Sequence, residues 1–121
     1  MEQNLYTYKA QVLKIVDADT FTVKIDVGFR FYYENDIRLL RINAFETKLG
    51  KNTTADMKAT GLAGKDYVKK LLEGKEIIIK TVLEKEKFGR ILAEVFYKQN
   101  DVWINLNDDL VNKKYAIYQV Y

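Results

Sequence analysis

Apolar and polar positions alternate through much of the first forty residues, and the alternation reads as strands. Tyr6 to Val16 is rich in branched residues and predicts a first strand, ended by an Asp17-Ala18-Asp19 turn. Thr20 to Val27 alternates cleanly. Phe21, Val23, Ile25 and Val27 take one face, and Thr22, Lys24 and Asp26 the other. Gly28 breaks or kinks it, Phe29 to Glu34 is a third extended piece with aromatics on both faces, and Asn35-Asp36 predicts a bend. Ile37 to Ile42 follows as a strand, with Ile37, Leu39 and Arg41 on one face and Arg38, Leu40 and Ile42 on the other. The apolar pattern stops at Asn43-Ala44-Phe45-Glu46. Arg38 therefore lies inside an apolar segment. An unpaired buried charge is costly, so it needs a partner or marks a site. The plain reading is an Arg38–Glu46 ion pair that braces the wall.

The period then changes. Thr53-x-x-Asp56 resembles a capping box, and Ala63, Tyr67 and Leu71 recur every four residues with Val68 and Leu72 beside them. This predicts a helix over roughly Thr53 to Glu73, stopped by Gly74. Gly61 and Gly64 inside it each cost about 1 kcal/mol against Ala, so close packing onto the sheet is expected there. Glu76 to Leu83 predicts a strand, Glu84 to Phe88 a charged turn, and Arg90 to Phe96 another strand. Asn100-Asp101 predicts a hairpin into Val102-Trp103-Ile104. Asn105 can cap a second helix, with Asp108 and Asp109 early and Lys113 and Lys114 late, as the helix dipole favours.

Three strands, a helix, two strands and a short closing helix is the order of an OB-fold. The expected fold is thus β-rich α+β: a five-stranded Greek-key barrel with a helix between strands 3 and 4 and a short C-terminal helix. A split α+β sheet is the alternative. With 121 residues the chain fits one domain, residues 1–121. No apolar run is long enough to span a bilayer, so no membrane partner is expected, and a monomer is. The first residues lack a basic start followed by an apolar stretch, so the chain as written reads as cytoplasmic, or as secreted if a leader was removed.

Composition narrows the chemistry. There is no Cys and no His, which excludes thiolate nucleophiles, disulfides, the usual general base and the commonest transition-metal ligand. What is left is carboxylates, cationic side chains, hydroxyls, backbone, and a hard oxygen-ligated cation. A net charge of +3 permits an anionic partner without demanding one. Tyr and Phe interleaved with Lys and Arg suit a surface for single strands, where bases stack and phosphates are attracted.

Charged groups sit at strand ends: Asp19 after the first strand, Arg38 within and Glu46 beyond the Ile37 to Ile42 strand, and Arg90 at the start of another. Oxygen ligands, a carboxylate to activate water and two guanidinium groups to hold phosphate are what phosphodiester hydrolysis requires. Asp17-Ala18-Asp19-Thr20, Arg38 to Thr47 (RLLRINAFET) and Lys87-Phe88-Gly89-Arg90 resemble, in order, the three signature segments of the staphylococcal (micrococcal, thermonuclease) nuclease family. That resemblance implies an OB-fold, calcium-dependent nuclease acting on single-stranded or locally open DNA and RNA and leaving 3′-phosphate ends. It implies Arg38, Glu46 and Arg90 as catalytic residues. It implies Asp19, Asn43 and the Ala44 backbone carbonyl as ligands of calcium, with another divalent ion as an alternative. Lys87, Phe88, Tyr115, Tyr118 and Tyr121 become candidates for substrate binding.

Some positions depart from the family pattern. Asn43 stands where the family has its second calcium carboxylate. A unit charge at about 4 Å is worth roughly 1 to 4 kcal/mol, so calcium affinity should fall by about one to three decades. Phe45 replaces a usual Pro, and Ala18 replaces a Gly, which matters only where the turn needs positive φ. The alternative function is an OB-fold module, catalytically weakened or inactive, that binds nucleic acid or protein.

Overall fold

A computed structural model describes residues 6–44, 55–85 and 89–118. Glu46, Lys87, Phe88 and Tyr121 lie outside them. The elements are β1 (Thr7–Asp17), β2 (Thr20–Asp26), β3 (Tyr32–Leu39), β4 (Ile42–Ala44), α1 (Ala55–Leu72), β5 (Glu76–Lys85), β6 (Ile91–Gln99), β7 (Val102–Asn105), α2 (Leu106–Asn112) and β8 (Ala116–Tyr118).

The alternation in β1 and β2 makes one face of each strand apolar, and that face must be buried. β1 pairs antiparallel with β2 on one edge and with β5 on the other. β2 pairs with β3, and β5 with β6, again antiparallel. The ring closes where β3 meets β6 in parallel, Ile37 opposite Ile91, Arg38 opposite Leu92 and Leu39 opposite Ala93. The result is a closed five-stranded mixed barrel with two helices, an OB-fold of the β-rich α+β kind. Register shifts between Val12 and Lys14 and between Ile15 and Asp17 mark irregularities in β1 near its Asp19 end, and such bulges bend a strand around a barrel. β7 continues along β6 beyond its pairing with β3.

Inside lie Val12, Phe21, Val23, Ile37, Leu39, Ile77, Ile79 and Val95, all fully buried. Each such side chain contributes about 1.5–3 kcal/mol relative to exposure. Val68 and Leu72 bury the apolar stripe of α1, and Leu106 and Leu110 that of α2. Asn105 caps α2, its side chain accepting the Asp108 N–H, as the sequence predicts. The next residue but one, Asn107, is fully buried. Its Oδ1 accepts the Val95 N–H at 3.1 Å, and its Nδ2 donates to the carbonyls of Leu40 at 2.7 Å and Ala93 at 3.3 Å. That amide fastens α2 to β6 and to the chain leaving β3.

Four local expectations are corrected. Asn35 and Asp36 do not bend the chain; they sit opposite Val23 and Thr22 within an unbroken β3. The strand expected over Ile37 to Ile42 does not run to Ile42. Arg41 adopts φ 70°, β3 stops at Leu39, and Ile42–Ala44 forms a separate strand paired with β8. Arg41 consequently leaves the face it would share with Ile37 and Leu39. Phe29 is not extended: Gly28, Phe29 and Arg30 have φ of 90°, 56° and 65°, a left-handed turn between β2 and β3 that costs about 1–2 kcal/mol at each non-glycine residue. Finally, a Cβ on Gly64 would lie 3.0 Å from that of Tyr115, so this glycine makes room for the residue before β8 rather than for the sheet.

Candidate functional site

Asp19 and Thr20 stand at the β1–β2 turn, at the barrel end where β3 leaves and β6 enters. Ala18 is buried and is not in the left-handed region, so the turn tolerates its Cβ. Asp19 itself is buried, and its carboxylate is held from three directions. Oδ1 accepts the Thr20 hydroxyl at 3.1 Å, and Oδ2 accepts the Ala44 N–H at 2.8 Å. The Arg38 guanidinium approaches Oδ2 at 3.3 Å. Arg38 pairs with Asp19, because Thr20 and Arg38 are opposite one another in the β2–β3 register; the expected Arg38–Glu46 pairing falls outside the described residues.

Both terminal nitrogens of Arg38 are bound. Nη1 donates to the Leu39 carbonyl at 2.8 Å and the Ile42 carbonyl at 3.0 Å, and Nη2 donates to Asn43 Oδ1 at 3.0 Å. The left-handed Arg41 makes this possible, since it folds Ile42 and Asn43 back toward the side chain four and five residues earlier. Arg90 enters from the segment before β6. Its Nη1 lies 3.4 Å from Thr20 Oγ1, the same hydroxyl that donates to Asp19. The parallel β3–β6 pairing, which begins at Ile37 and Ile91, is what carries Arg90 to this end of the barrel.

The structure therefore gathers Asp19, Arg38, Asn43, Ala44 and Arg90 from four separate parts of the chain. The donor set is right in kind for a hard cation: one carboxylate, one amide oxygen and a backbone carbonyl. It carries a single negative charge, and both Asp19 and Asn43 already face one positive group, Arg38. Among the described residues no group of three or more carboxylates gathers to hold a metal.

Over residues 36–121 the chain matches the profile of the staphylococcal nuclease homologue family. The chain belongs to this family. An uncharacterized protein of Methanocaldococcus jannaschii is similar, 32% identical over 125 residues, which take in 90% of this chain and 58% of the relative. The nuclease homologue described here thus spans little more than half of that relative's length.

Tyr115 and Tyr118 make contacts with the two helices. Tyr115 packs its ring 5.4 Å from that of Tyr67 and against Gly64 on α1. The Tyr118 hydroxyl donates to Asp108 Oδ1 at 3.0 Å, which raises its pKa above the ordinary tyrosine value. Neither contacts the Asp19 cluster through these bonds. By register the tail residue opposite Asn43 is Ile117, which is exposed.

A second ionic cluster was hidden from the sequence. Arg41 reaches Glu94 through both Nε, at 3.0 Å, and Nη2, and reaches Asp108 at 3.2 Å. The hydrogen bond to Glu94 is the main cause of a guanidinium pKa raised further still. Nearby, the hydroxyls of Tyr67 and Tyr97 both donate to Asp109 Oδ2, at 2.5 and 3.0 Å. The signal available was Arg41 in an apolar run with the acidic start of α2 to receive it.

Proposed function

We propose that this nuclease homologue is a metal-dependent phosphodiesterase that hydrolyses single-stranded or locally open DNA or RNA and leaves 3′-phosphate ends. The observation that carries the reading is the convergence of Arg38 and Arg90, from β3 and from the start of β6, on the Asp19–Thr20 pair. Two guanidinium groups at one point suit a tetrahedral phosphate, which they hold by charge-assisted bonds and whose growing negative charge they stabilise.

In this reading Arg38 gives up its contact with Asn43 to a phosphate oxygen while its bonds to the Leu39 and Ile42 carbonyls keep the head aimed. Arg90 grips a second oxygen. Glu46 accepts a proton from the water that attacks phosphorus, the bond from phosphorus to the 5′-oxygen breaks, and that oxygen takes a proton from solvent to leave as a 5′-hydroxyl. Asp19, Asn43 and the Ala44 carbonyl are the residues that would hold calcium, which would supply positive charge beside the phosphate and lower the pKa of a nearby water. Their single charge puts the site at the weak end of calcium sites, where ligand charge sets affinity. Lys87 and Phe88 flank the bound nucleotide.

The test is digestion of single-stranded DNA with millimolar calcium against chelator, using wild type and Glu46→Gln together. Calcium-dependent cleavage that vanishes in the variant supports the proposal. Oligonucleotide binding without cleavage favours the second reading, a binding module, for which the observation is that Arg38 already occupies both Asp19 and Asn43.

A further inference from the structure

The β2–β3 hairpin projects apolar side chains that nothing in the described fold covers. Phe29 is 94% exposed, Phe31 68%, Tyr32 58%, Tyr33 49% and Val27 44%. The tip is nevertheless well formed. Asp26 Oδ1 accepts the Gly28 N–H at 2.9 Å, the Phe31 N–H donates to the Gly28 carbonyl at 2.9 Å, and the Val27 N–H donates to the Phe31 carbonyl at 3.1 Å. Two successive non-glycine residues in the left-handed region, Phe29 and Arg30, form its apex. Backbone bonds thus hold a strained turn that puts a phenylalanine into solvent. Strain kept at such a position points toward a use.

Polarity changes in rows down the hairpin. The apex carries Phe29 and Arg30, flanked by Val27 and Phe31. Next come Tyr32, opposite Asp26, and Tyr33, opposite Ile25. Below them Lys24 and Glu34 face each other. Tyr32 and Tyr33 are neighbours in a strand, so their rings leave opposite faces, and the aromatic shell surrounds the hairpin. A platform for stacked bases would use one face. The outer face between this tip and Arg38 also carries Asp26, Glu34 and Asp36, which repel a phosphate backbone. The graded order of phenylalanine, tyrosine and charge is the order of a bilayer surface, in which tyrosine sits at headgroup level. From apex to tyrosine row is two or three residues, about 7–10 Å at the rise of a strand, and interfacial elements bury their apolar side by about 5–10 Å.

We propose that this hairpin is a wedge that docks the protein on a lipid bilayer. Phe29, Phe31 and Val27 enter the acyl boundary, Tyr32 and Tyr33 lie among the headgroups, and Arg30 pairs with a lipid phosphate. The protein lies on the membrane; among the described residues no helix is long and apolar enough to cross one. Lys24 and Arg30 are offset by Asp26 and Glu34, so apolar insertion rather than general charge attraction drives the binding. That distinguishes the wedge from a nucleic-acid contact, which salt weakens steeply.

The experiment is co-sedimentation of the full chain with phosphatidylcholine–phosphatidylglycerol vesicles, in chelator, at low and high salt. Wild type is compared with Phe29→Ser/Phe31→Ser, whose residues are exposed and whose fold is checked by its thermal transition. The expected result is vesicle binding that persists in high salt and falls at least tenfold in the variant, with oligonucleotide binding unchanged. Absence of vesicle binding, or equal binding by the variant, overturns the proposal. So does a variant that instead loses oligonucleotide affinity, which makes the tip a nucleic-acid contact, or one that abolishes a wild-type dimer in sedimentation velocity, which makes it a self-association surface.

Discussion

Arg38 and Arg41 are three residues apart in one short apolar stretch, yet they serve opposite ends of the same turn. Arg38 is drawn inward, its side chain 11% exposed, beside the similarly buried carboxylate of Asp19. Its remaining bonds go to two backbone carbonyls and an amide oxygen. Arg41 points outward, 43% exposed, with Glu94 and Asp108 both within ion-pair distance. Arg41 is neutralised by two acids and ties the turn after β3 to β6 and α2. Arg38 is bound mostly by neutral oxygens, which fix its direction without cancelling its charge. The difference teaches how a fold separates a brace from the arginine proposed to clamp phosphate: the brace receives two carboxylates, the proposed clamp one carboxylate and three neutral oxygens.

The comparison breaks if the two residues exchange phenotypes. Arg38→Lys keeps a charge but loses the planar fork that spans the Leu39 carbonyl, the Ile42 carbonyl and Asn43. Cleavage should fall by about 100-fold or more, the scale of removing one donor aimed at developing charge. Arg41→Met should leave cleavage near wild type and lower stability by about 1–2 kcal/mol, since it leaves two partly exposed acids without their cation. Turnover and urea midpoints of both variants, measured side by side, decide it. A destabilised Arg41 variant with full activity and a folded, inactive Arg38 variant are the expected pair; the reverse pattern sinks the assignment.

Much of the barrel was legible because strand alternation is a direct imprint of burial; on α1 the buried line is Gly64, Val68 and Leu72, whereas Ala63 of the expected repeat is exposed and Tyr67 and Leu71 are half-buried. Phe21, Val23 and Ile25 face inward as their spacing requires, and Asn105 caps α2. The family motifs located Asp19, Arg38, Asn43 and Arg90, and the barrel brings those four together. What stayed hidden depends on backbone angles that composition does not announce. Nothing in Leu40-Arg41-Ile42 signals a left-handed arginine, so the β3–β4 break, the Arg41 brace and the Asn43 contact with Arg38 were invisible. The same is true of Phe29 and Arg30. Closure between β3 and β6 is a pairing of segments more than fifty residues apart, which no local pattern encodes. Tyr115, a candidate contact for a nucleobase, packs beside Gly64 and Tyr67 on α1, a placement that no local pattern encodes.

A smaller effect sharpens the clamp side. Asn43→Asp restores a negative charge next to Arg38 and Asp19 while leaving Arg41 and its acids untouched. Calcium affinity should rise by about tenfold or more, given roughly 1 to 4 kcal/mol for a unit charge at ligand distance. Calcium titrations of thermal stability with a nucleoside diphosphate present will read this, because a ligand that binds the folded state raises apparent stability. Unchanged affinity would remove Asn43 from the ligand set.

The smallest effect tests the brace side through pH. Burial first, and the hydrogen bond to Asp109 second, hold the Tyr67 phenol well above the ordinary tyrosine pKa of 10.0. Burial likewise raises Tyr97, which donates to the same carboxylate oxygen. Below pH 10 both phenols are protonated whether the chain is folded or unfolded, and their contribution to stability is fully present. Above it the unfolded phenols ionise while the folded ones stay neutral, so stability is lost as pH rises. Tyr67→Phe removes one of the two ionising groups along with its bond to Asp109. The variant should be less stable at about pH 8, by roughly the 1.5–3 kcal/mol of a hydrogen bond to a charged group. Its further loss between about pH 10 and 11 should be smaller than that of wild type. Urea unfolding at those pH values measures both. An equal alkaline loss in the two proteins would mean that other groups drive it, and that the Asp109 cluster stabilises α1 against α2 by packing alone.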